Sequence, residues 1–326
     1  MKLSAPAVVV ALMLGVLAMP LDVAAQKTAR VYRLGFLSGV PISASTRSIE
    51  QALSKFGWVK GQNIAIEYRS AEGHLDRLPA LAAELVALEV DVIIANAAPE
   101  TSAARQATRS IPIVFVAHGD PVGTGDIRSL ARPGGTATGL SQLHPELSAK
   151  QLEVLRQLMP RLGRVAVLWN ASVAAKAADW RELKPAAQAL GIVVQSREIL
   201  RPADLDGALA AVRNDRPDAL LILGDPTLFS LRRTIAEFAA KERLPAMYPW
   251  LGAVQAGGLI SYGADLADLI GRAAWYVDKI LKGANPADLP VQQPTKFELA
   301  INLKAAKSLG ITIPPSLQLQ VDHLIE

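Results

Sequence analysis

The chain has 326 residues, of which 51% are apolar and 20% charged, and its formal net charge at pH 7 is +4. This composition is typical of a folded globular protein and excludes disordered and collagen-like chains. Basic and acidic residues are interleaved without long runs of one sign, so the sequence predicts no nucleic-acid partner. The lack of cysteine excludes disulfides, thiolate metal ligands and cysteine nucleophiles.

The first 25 residues have the three-part pattern of a secretory signal peptide. Lys2 precedes an apolar stretch at residues 5–18, and small residues follow at Ala24 and Ala25, as a signal peptidase requires. The apolar stretch is shorter than the ~20 residues that span a bilayer. We therefore expect cleavage after Ala25 and a mature protein free in the periplasm, because no cysteine is present to carry a lipid anchor.

From residue 31 onward, short runs rich in β-branched residues alternate with stretches of helical spacing. This pattern is typical of βαβ units around mostly parallel sheets. A helix is expected at residues 266–282, where apolar residues recur every three or four positions and Asp265 can cap the first turn. Strands are predicted at residues 31–37, 64–68, 91–95, 113–117, 165–169, 192–197, 219–223, 246–248 and 259–262.

The two halves of the chain repeat this pattern in the same order, since residues 31–38 match 164–170 and residues 91–96 match 218–224. Such a long repeat predicts two similar lobes rather than a solenoid. We expect an α/β fold of two Rossmann-like lobes with parallel sheets joined by crossover strands near residues 140–143, 261–263 and 295–302. The expected organisation is a signal peptide at 1–25, lobe I at 26–142 and 263–290, and lobe II at 143–262 and 291–326.

Sequence motifs for common catalytic and cofactor sites are not found. Residues 123–128 begin like a dinucleotide-binding loop but have Arg128 where a third glycine is needed. There is no Gly-x-Ser-x-Gly motif or Gly-Lys-Ser/Thr loop, and the 4 histidines lack metal-ligand spacing. We assign no cofactor, metal or catalytic residue. The alternative is an exported enzyme on the same scaffold, with His118 and Asp120 as acid and base.

Small polar and aromatic residues follow the carboxyl ends of the predicted strands. Ligands bind at this edge of open parallel sheets because helix N-termini converge there. Two such edges facing each other form a cleft that can close on a small molecule. Each polar residue alone fits a helix cap equally well, but the set favours binding. The candidate ligand-binding residues are Ser38, Asn96, Ala97, His118, Asp120, Asn170, Asp225, Thr227, Trp250 and Tyr262.

Long motifs cover most of the mature chain, at residues 119–123, 129–141, 256–263, 276–290 and 294–316. They resemble the ABC transporter substrate-binding protein family that includes tryptophan- and tyrosine-type binding proteins. The resemblance implies a type I periplasmic-binding fold and delivery of a solute to an inner-membrane ABC permease. The chain departs from many members at the loop 38–43, which is poorer in Ser and Gly, and at His118, where relatives often have a small apolar residue.

We therefore expect a monomeric periplasmic solute-binding protein that closes its lobes on a small organic molecule without chemistry. Trp250 is expected to offer a stacking face, whereas Tyr248 fits either the cleft or the core. These aromatic residues and the polar strand ends indicate an amphipathic solute, such as an aromatic or branched-chain amino acid or an amide. A ligand-sensing domain for a signalling partner is a further alternative.

Overall fold

The structure is a computed structural model that describes residues 30–142 and 144–326. The predicted signal peptide and its cleavage point lie outside these residues. Within the described part of the chain, no helix is both long enough and apolar enough to cross a membrane.

Five parallel strands form the first sheet, in the order β2-β1-β3-β4-β5. The sheet and the helices packed on it are called the first lobe below. The strands are β1 (Tyr32–Ser38), β2 (Ile64–Ser70), β3 (Val92–Ala95), β4 (Ile113–His118) and β5 (Ala137–Ser141), and the helices between them are α1 (Ala44–Ser54), α2 (Leu78–Ala87) and α3 (Ala98–Ala107).

The second sheet and its helices, called the second lobe, follow in the chain. Its strand order is β12-β11-β10-β9-β8-β6-β7, and only β10 and β11 pair antiparallel among its described strands. The strands are β6 (Arg164–Asn170), β7 (Val193–Ile199), β8 (Ala219–Ile222), β9 (Ala246–Tyr248), β10 (Ile260–Ala264), β11 (Phe297–Asn302) and β12 (His323–Ile325).

The helices that follow β5 complete the molecule. One of them, α10 (Leu266–Leu281), comes directly after β10 of the second sheet. The others are α4 (His144–Leu158), α5 (Ala174–Ala189), α6 (Leu205–Asp215), α7 (Pro226–Ser230), α8 (Arg232–Lys241), α9 (Leu251–Gln255), α11 (Leu303–Leu309) and α12 (Pro315–Gln318). The predicted α/β class with two Rossmann-like lobes is confirmed.

Although α10 follows a strand of the second sheet, it packs on the first. Its buried Leu269, Ala273 and Val277 lie in the same hydrophobic cluster as Phe36 and Val114. The helix begins as the sequence predicts, since the Asp265 carboxylate accepts a hydrogen bond from the backbone N–H of Asp268 at 2.9 Å. The chain thus returns to the first lobe after β10. The exact lobe boundaries stay a prediction.

The segments that connect the two sheets are hydrogen-bonded to one another. Ser141 N donates to Gln292 O at 2.9 Å, and Gln292 N donates to Gly139 O at 3.1 Å. Asp265 N in turn donates to Lys296 O at 3.2 Å. The segment from Gln292 to Lys296 therefore ties the first connection to the second.

The predicted crossover strand near residue 140 starts earlier than expected, because β5 begins at Ala137 and pairs with Ile113 of β4. The turn-forming residues at 132–139 favour a loop rather than a strand. Gly139 explains the difference, since a Cβ there would lie 1.9 Å from Phe115 O. Glycine lets the two backbones approach closely. One end of the predicted strand, residue 143, lies outside the described residues.

Candidate functional site

The carboxyl ends of the strands in both sheets surround a small cavity of about 70 Å³. This volume holds no more than a few water molecules. Four of the candidate residues from the sequence line the cavity: Asn96, Ala97, Asp225 and Trp250. The remaining lining residues are Val40, Ala117, Gln142, Gly224, Pro226, Phe229 and Leu266.

The two lobes touch beside this cavity. The loop after β1 lies against the start of α7, so that a Cβ added to Gly39 would lie 2.7 Å from Pro226 Cβ. Thr227 Oγ1 lies 3.5 Å from Gly73 O. A Cβ on Gly73 would lie 3.0 Å from Ser230 Cβ. The structure therefore represents a closed arrangement of the two lobes.

Asn170, Asp225 and Thr227 form a buried hydrogen-bond network on the second-lobe side. Asn170 Nδ2 donates to Asp225 Oδ2 at 2.6 Å and to Thr227 Oγ1 at 3.2 Å. The other carboxylate oxygen of Asp225 accepts from Leu228 N at 2.8 Å and caps α7. Burial raises the pKa of Asp225, although these hydrogen bonds oppose the shift. Asp225 thus both caps a helix and presents a polar group to the cavity.

Two aromatic residues of the second lobe also line the cavity. The rings of Trp250 and Phe229 meet edge to face at 5.2 Å, and the Arg232 guanidinium lies 4.3 Å from the Phe229 ring centre. A Cβ at Gly224 would lie 2.6 Å from the Trp250 indole, so the glycine leaves room for this ring. Tyr248 is fully buried in the core, and burial raises its pKa. The sequence left open whether Tyr248 lies in the cleft or in the core, and the structure places it in the core.

The structure does not pair His118 with Asp120. His118 is fully buried, and its Nε2 lies 2.8 Å from Asp126 Oδ2. Burial raises the pKa of Asp126, but hydrogen bonds from His118, Thr124 and Arg105 outweigh it and hold the pKa below its usual value. Asp120 instead accepts from Gly123 N at 2.7 Å and stabilises a turn. The acid–base pair of the alternative enzyme hypothesis is not formed in this structure, because His118 and Asp120 hydrogen-bond to different partners.

Two further candidates lie away from the cavity wall. The Ser38 hydroxyl is buried and donates to Val40 O at 2.8 Å, so it shapes the loop after β1. Tyr262 is partly buried and stacks on Phe297 with ring centres 5.9 Å apart. Neither lines the cavity in this closed arrangement. A role for either in ligand binding stays a prediction.

Glu100 is a buried cleft residue that the sequence did not indicate. It lies in the first turn of α3, and its Oε1 accepts from Gly39 N at 2.5 Å. Its Oε2 has no hydrogen-bond partner among the described residues. Burial, together with the nearby Asp225 carboxylate, raises the pKa of Glu100 to about 7, while backbone hydrogen bonds oppose the shift. An acidic residue in a first helical turn is usually exposed and favourable there, so no sequence signal marked its burial.

Larger concavities lie outside this cavity, and two of them exceed 500 Å³. One of about 520 Å³ lies between the lobes and is lined by Pro99, Ser102 and residues 172–175. The other, about 700 Å³, is lined by Asp218 and Pro245, which precede β8 and β9 and so lie at the opposite strand ends. We favour the smaller cavity as the ligand site because strand carboxyl ends converge there on polar and aromatic side chains, among them Asn96, Asp225 and Trp250. The described lining of the concavity between the lobes contains no aromatic residue. Among the described residues, no cluster of His, Asp and Glu has the arrangement of a metal site.

Comparisons with known proteins agree with this geometry. A family model described as ABC transporter substrate binding protein matches residues 34–324. A tyrosine-binding protein of Clostridioides difficile is 28% identical over 262 residues, which is 80% of this chain and 75% of that protein.

Solved structures resemble the whole described fold. A conserved domain protein of Vibrio cholerae superposes with a TM-score of 0.86 at 28% identity, covering 90% of this chain and 100% of that one. An ABC domain of Streptococcus pneumoniae in complex with L-Trp superposes with a TM-score of 0.85 at 26% identity, covering the same shares of the two chains.

Proposed function

Because the chain belongs to the ABC transporter substrate-binding protein family, we propose that it is the solute receptor of an uptake transporter. It binds a small organic solute between its lobes in the periplasm and delivers it to an inner-membrane ABC permease. The observation that carries the proposal is the cavity at which the carboxyl ends of both sheets converge. No chemical change of the solute is part of this function.

An aromatic amino acid is the solute class that the chemistry of the cavity lining favours. Trp250 and Phe229 form an apolar aromatic wall, and Asn96 and Asp225 supply polar groups at the same cavity. Aromatic rings pack favourably on such a wall in stacked or edge-to-face geometry. The C. difficile relative is named a tyrosine-binding protein, and the S. pneumoniae structure holds L-Trp. Branched-chain amino acids and amides are the other amphipathic solutes that the sequence indicates.

Binding requires the lobes to open first. The cavity of about 70 Å³ is far smaller than the ~300 Å³ or more of common ligand sites. The contacts of Gly39 with Pro226 and of Gly73 with Thr227 and Ser230 close the path between the lobes. Hinge motion at the connecting segments would part these contacts, admit the solute and then enclose it.

A thermal-shift screen of the purified, ligand-stripped protein tests the proposal. A ligand that binds only the folded state raises the melting midpoint by mass action. We expect L-tryptophan or L-tyrosine to raise it by several degrees more than L-lysine, L-glutamate or glucose at equal concentration. Each compound is recovered afterwards and analysed by mass spectrometry. A rise with none of the aromatic amino acids, or recovery of a chemically altered compound, would contradict the proposal.

A further inference from the structure

Glu100 is the buried ionisable group that solute binding, as proposed above, leaves unexplained. It belongs to the first lobe, and its side chain has no solvent exposure. One carboxylate oxygen accepts from Gly39 N, while Oε2 has no hydrogen-bond partner among the described residues. An ionised carboxylate with an unpartnered, desolvated oxygen is unfavourable. The closed structure therefore favours the protonated form of this side chain.

The second lobe contributes to this burial. A Cβ at Gly39 would lie 2.9 Å from Glu100 Oε1 and 2.7 Å from Pro226 Cβ, so the start of α7 lies directly against the loop that contacts Glu100. Asp225 immediately precedes Pro226, and its charge opposes ionisation of Glu100. When the lobes separate, both the cover over this loop and the nearby carboxylate move away from Glu100.

Charged groups on α5 act on the Asp225 side of this pair. Lys176 favours the ionised form of Asp225, and its Nζ is 2.5 Å from Asp179 Oδ2. Because its charge is shared with Asp179, Lys176 does not neutralise both carboxylates. Glu100 is also absent from the wall of the cavity, which leaves no space beside it for a cationic solute group. A proton is the remaining way to neutralise Glu100 when the lobes are closed.

We propose that closure of the two lobes takes up one proton on Glu100, so that the closed form is favoured at low pH and weakened as the pH rises. The inference rests on the hinge closure of the proposed function, not on the identity of the solute. It makes the protein sensitive to the pH of the compartment in which it binds and releases solute.

The sign follows from the two forms of the carboxyl. The pKa of Glu100 is about 7 in the closed structure, against an ordinary value of 4.5 for an exposed glutamate. Between these values the closed form binds more protons than the open form, so raising the pH shifts the equilibrium towards the open form. Well above pH 7, Glu100 is ionised in both forms, and the closed form bears the full free-energy cost of the buried charge. The ratio of closed to open protein should fall about thirtyfold between pH 5.5 and pH 8.5.

Small-angle X-ray scattering of the purified protein without added solute provides the first test. We expect the radius of gyration to increase from pH 5.5 to pH 8.5 in the wild type. The Glu100→Gln variant, whose amide cannot ionise, should keep the same radius at both values. Glu89→Gln, an exposed change in the same lobe, should behave like the wild type. No pH effect in the wild type, or the same effect in Glu100→Gln, overturns the proposal.

Calorimetry with L-tryptophan gives a second test that does not depend on the variant's folding. Titrations at pH 6 in buffers of different ionisation enthalpy report protons taken up on binding. We expect uptake of about one proton by the wild type and close to none by Glu100→Gln. Binding without proton uptake in the wild type overturns the proposal. A lack of L-tryptophan binding counts against the proposed function, and scattering then decides the proton linkage by itself.

Discussion

Trp250 lines the proposed ligand site together with Phe229, and its loss should weaken binding directly. We expect Trp250→Ala to reduce the affinity for L-tryptophan by about 1 to 3 kcal/mol, because a buried aromatic contact with the solute is lost. Isothermal titration calorimetry measures the change. Trp180→Ala is the matched control, since Trp180 stacks on Trp169 away from the cavity. A drop in unliganded stability with unchanged affinity would show that Trp250 only packs the core.

Gly224 determines where the Trp250 ring can lie. A Cβ at this position would be 2.5 Å from Pro249 Cγ and 2.6 Å from the indole, so Gly224→Ala should displace the ring and weaken L-tryptophan binding about tenfold or more. Gly207→Ala is the control, because a Cβ there meets nothing within 4 Å. Alanine in this helix should leave binding unchanged and stabilise the protein slightly. Equal affinities for the two variants, measured by calorimetry, would contradict the prediction.

At the residue scale, the sequence predicted which residues line the cavity better than it predicted their hydrogen-bond partners. Asn96, Asp225 and Trp250 were identifiable because each follows a strand whose apolar pattern is clear, and all three line the cavity. The partner of His118 was not, because Asp120 is nearer in the sequence but is held by Gly123 N, and the turn brings Asp126 to His118 instead. Glu100 was missed because its burial depends on contacts distant in the chain, including Gly39 and Asp225.

At the scale of single elements, a capping residue stabilises α10, the helix that returns the chain to the first lobe. The Asp265 carboxylate caps this helix by accepting from Asp268 N, and the helix covers the first sheet. We expect Asp265→Ala to lower the free energy of unfolding by about 1 kcal/mol, measured by urea denaturation. Asp206→Ala, a change at an exposed position in the first turn of α6, should change stability by less than about half that amount. Similar losses in both variants would argue against the cap.

The order of elements was predictable where the period of the apolar residues was clear. Strands such as β8 are fully buried runs of apolar residues covered on both faces by helices, and that pattern is visible without a structure. The start of β5 was not, because Ala137 belongs to a stretch of turn-forming residues and becomes a strand by pairing with β4. The antiparallel direction of β11 likewise arises from its long-range partner β10.

At the scale of the whole molecule, lobe closure is limited by the contact between Gly39 and α7. A methyl group at Gly39 would approach Pro226 Cβ to 2.7 Å, so Gly39→Ala should hold the lobes apart. We expect it to weaken L-tryptophan binding about tenfold or more and to abolish the ligand-induced decrease in the radius of gyration. Because the same methyl would also lie 2.9 Å from Glu100 Oε1, circular dichroism is needed to verify the fold. A folded variant that compacts normally with ligand would contradict the prediction.

The hydrogen bonds between the connecting segments determine how the two lobes can move relative to each other. Residues 139–141 and Gln292 are bonded as a ribbon, and Asp265 is bonded to Lys296 farther along it. Connections joined in this way bend together about a common axis rather than sliding independently. Each lobe then acts as a lever arm, so a rotation of a few degrees at the axis becomes a displacement of several ångströms at the far rim. In the proposed function, a permease docked at that rim would respond to the rotation of the lobes and not to the solute itself.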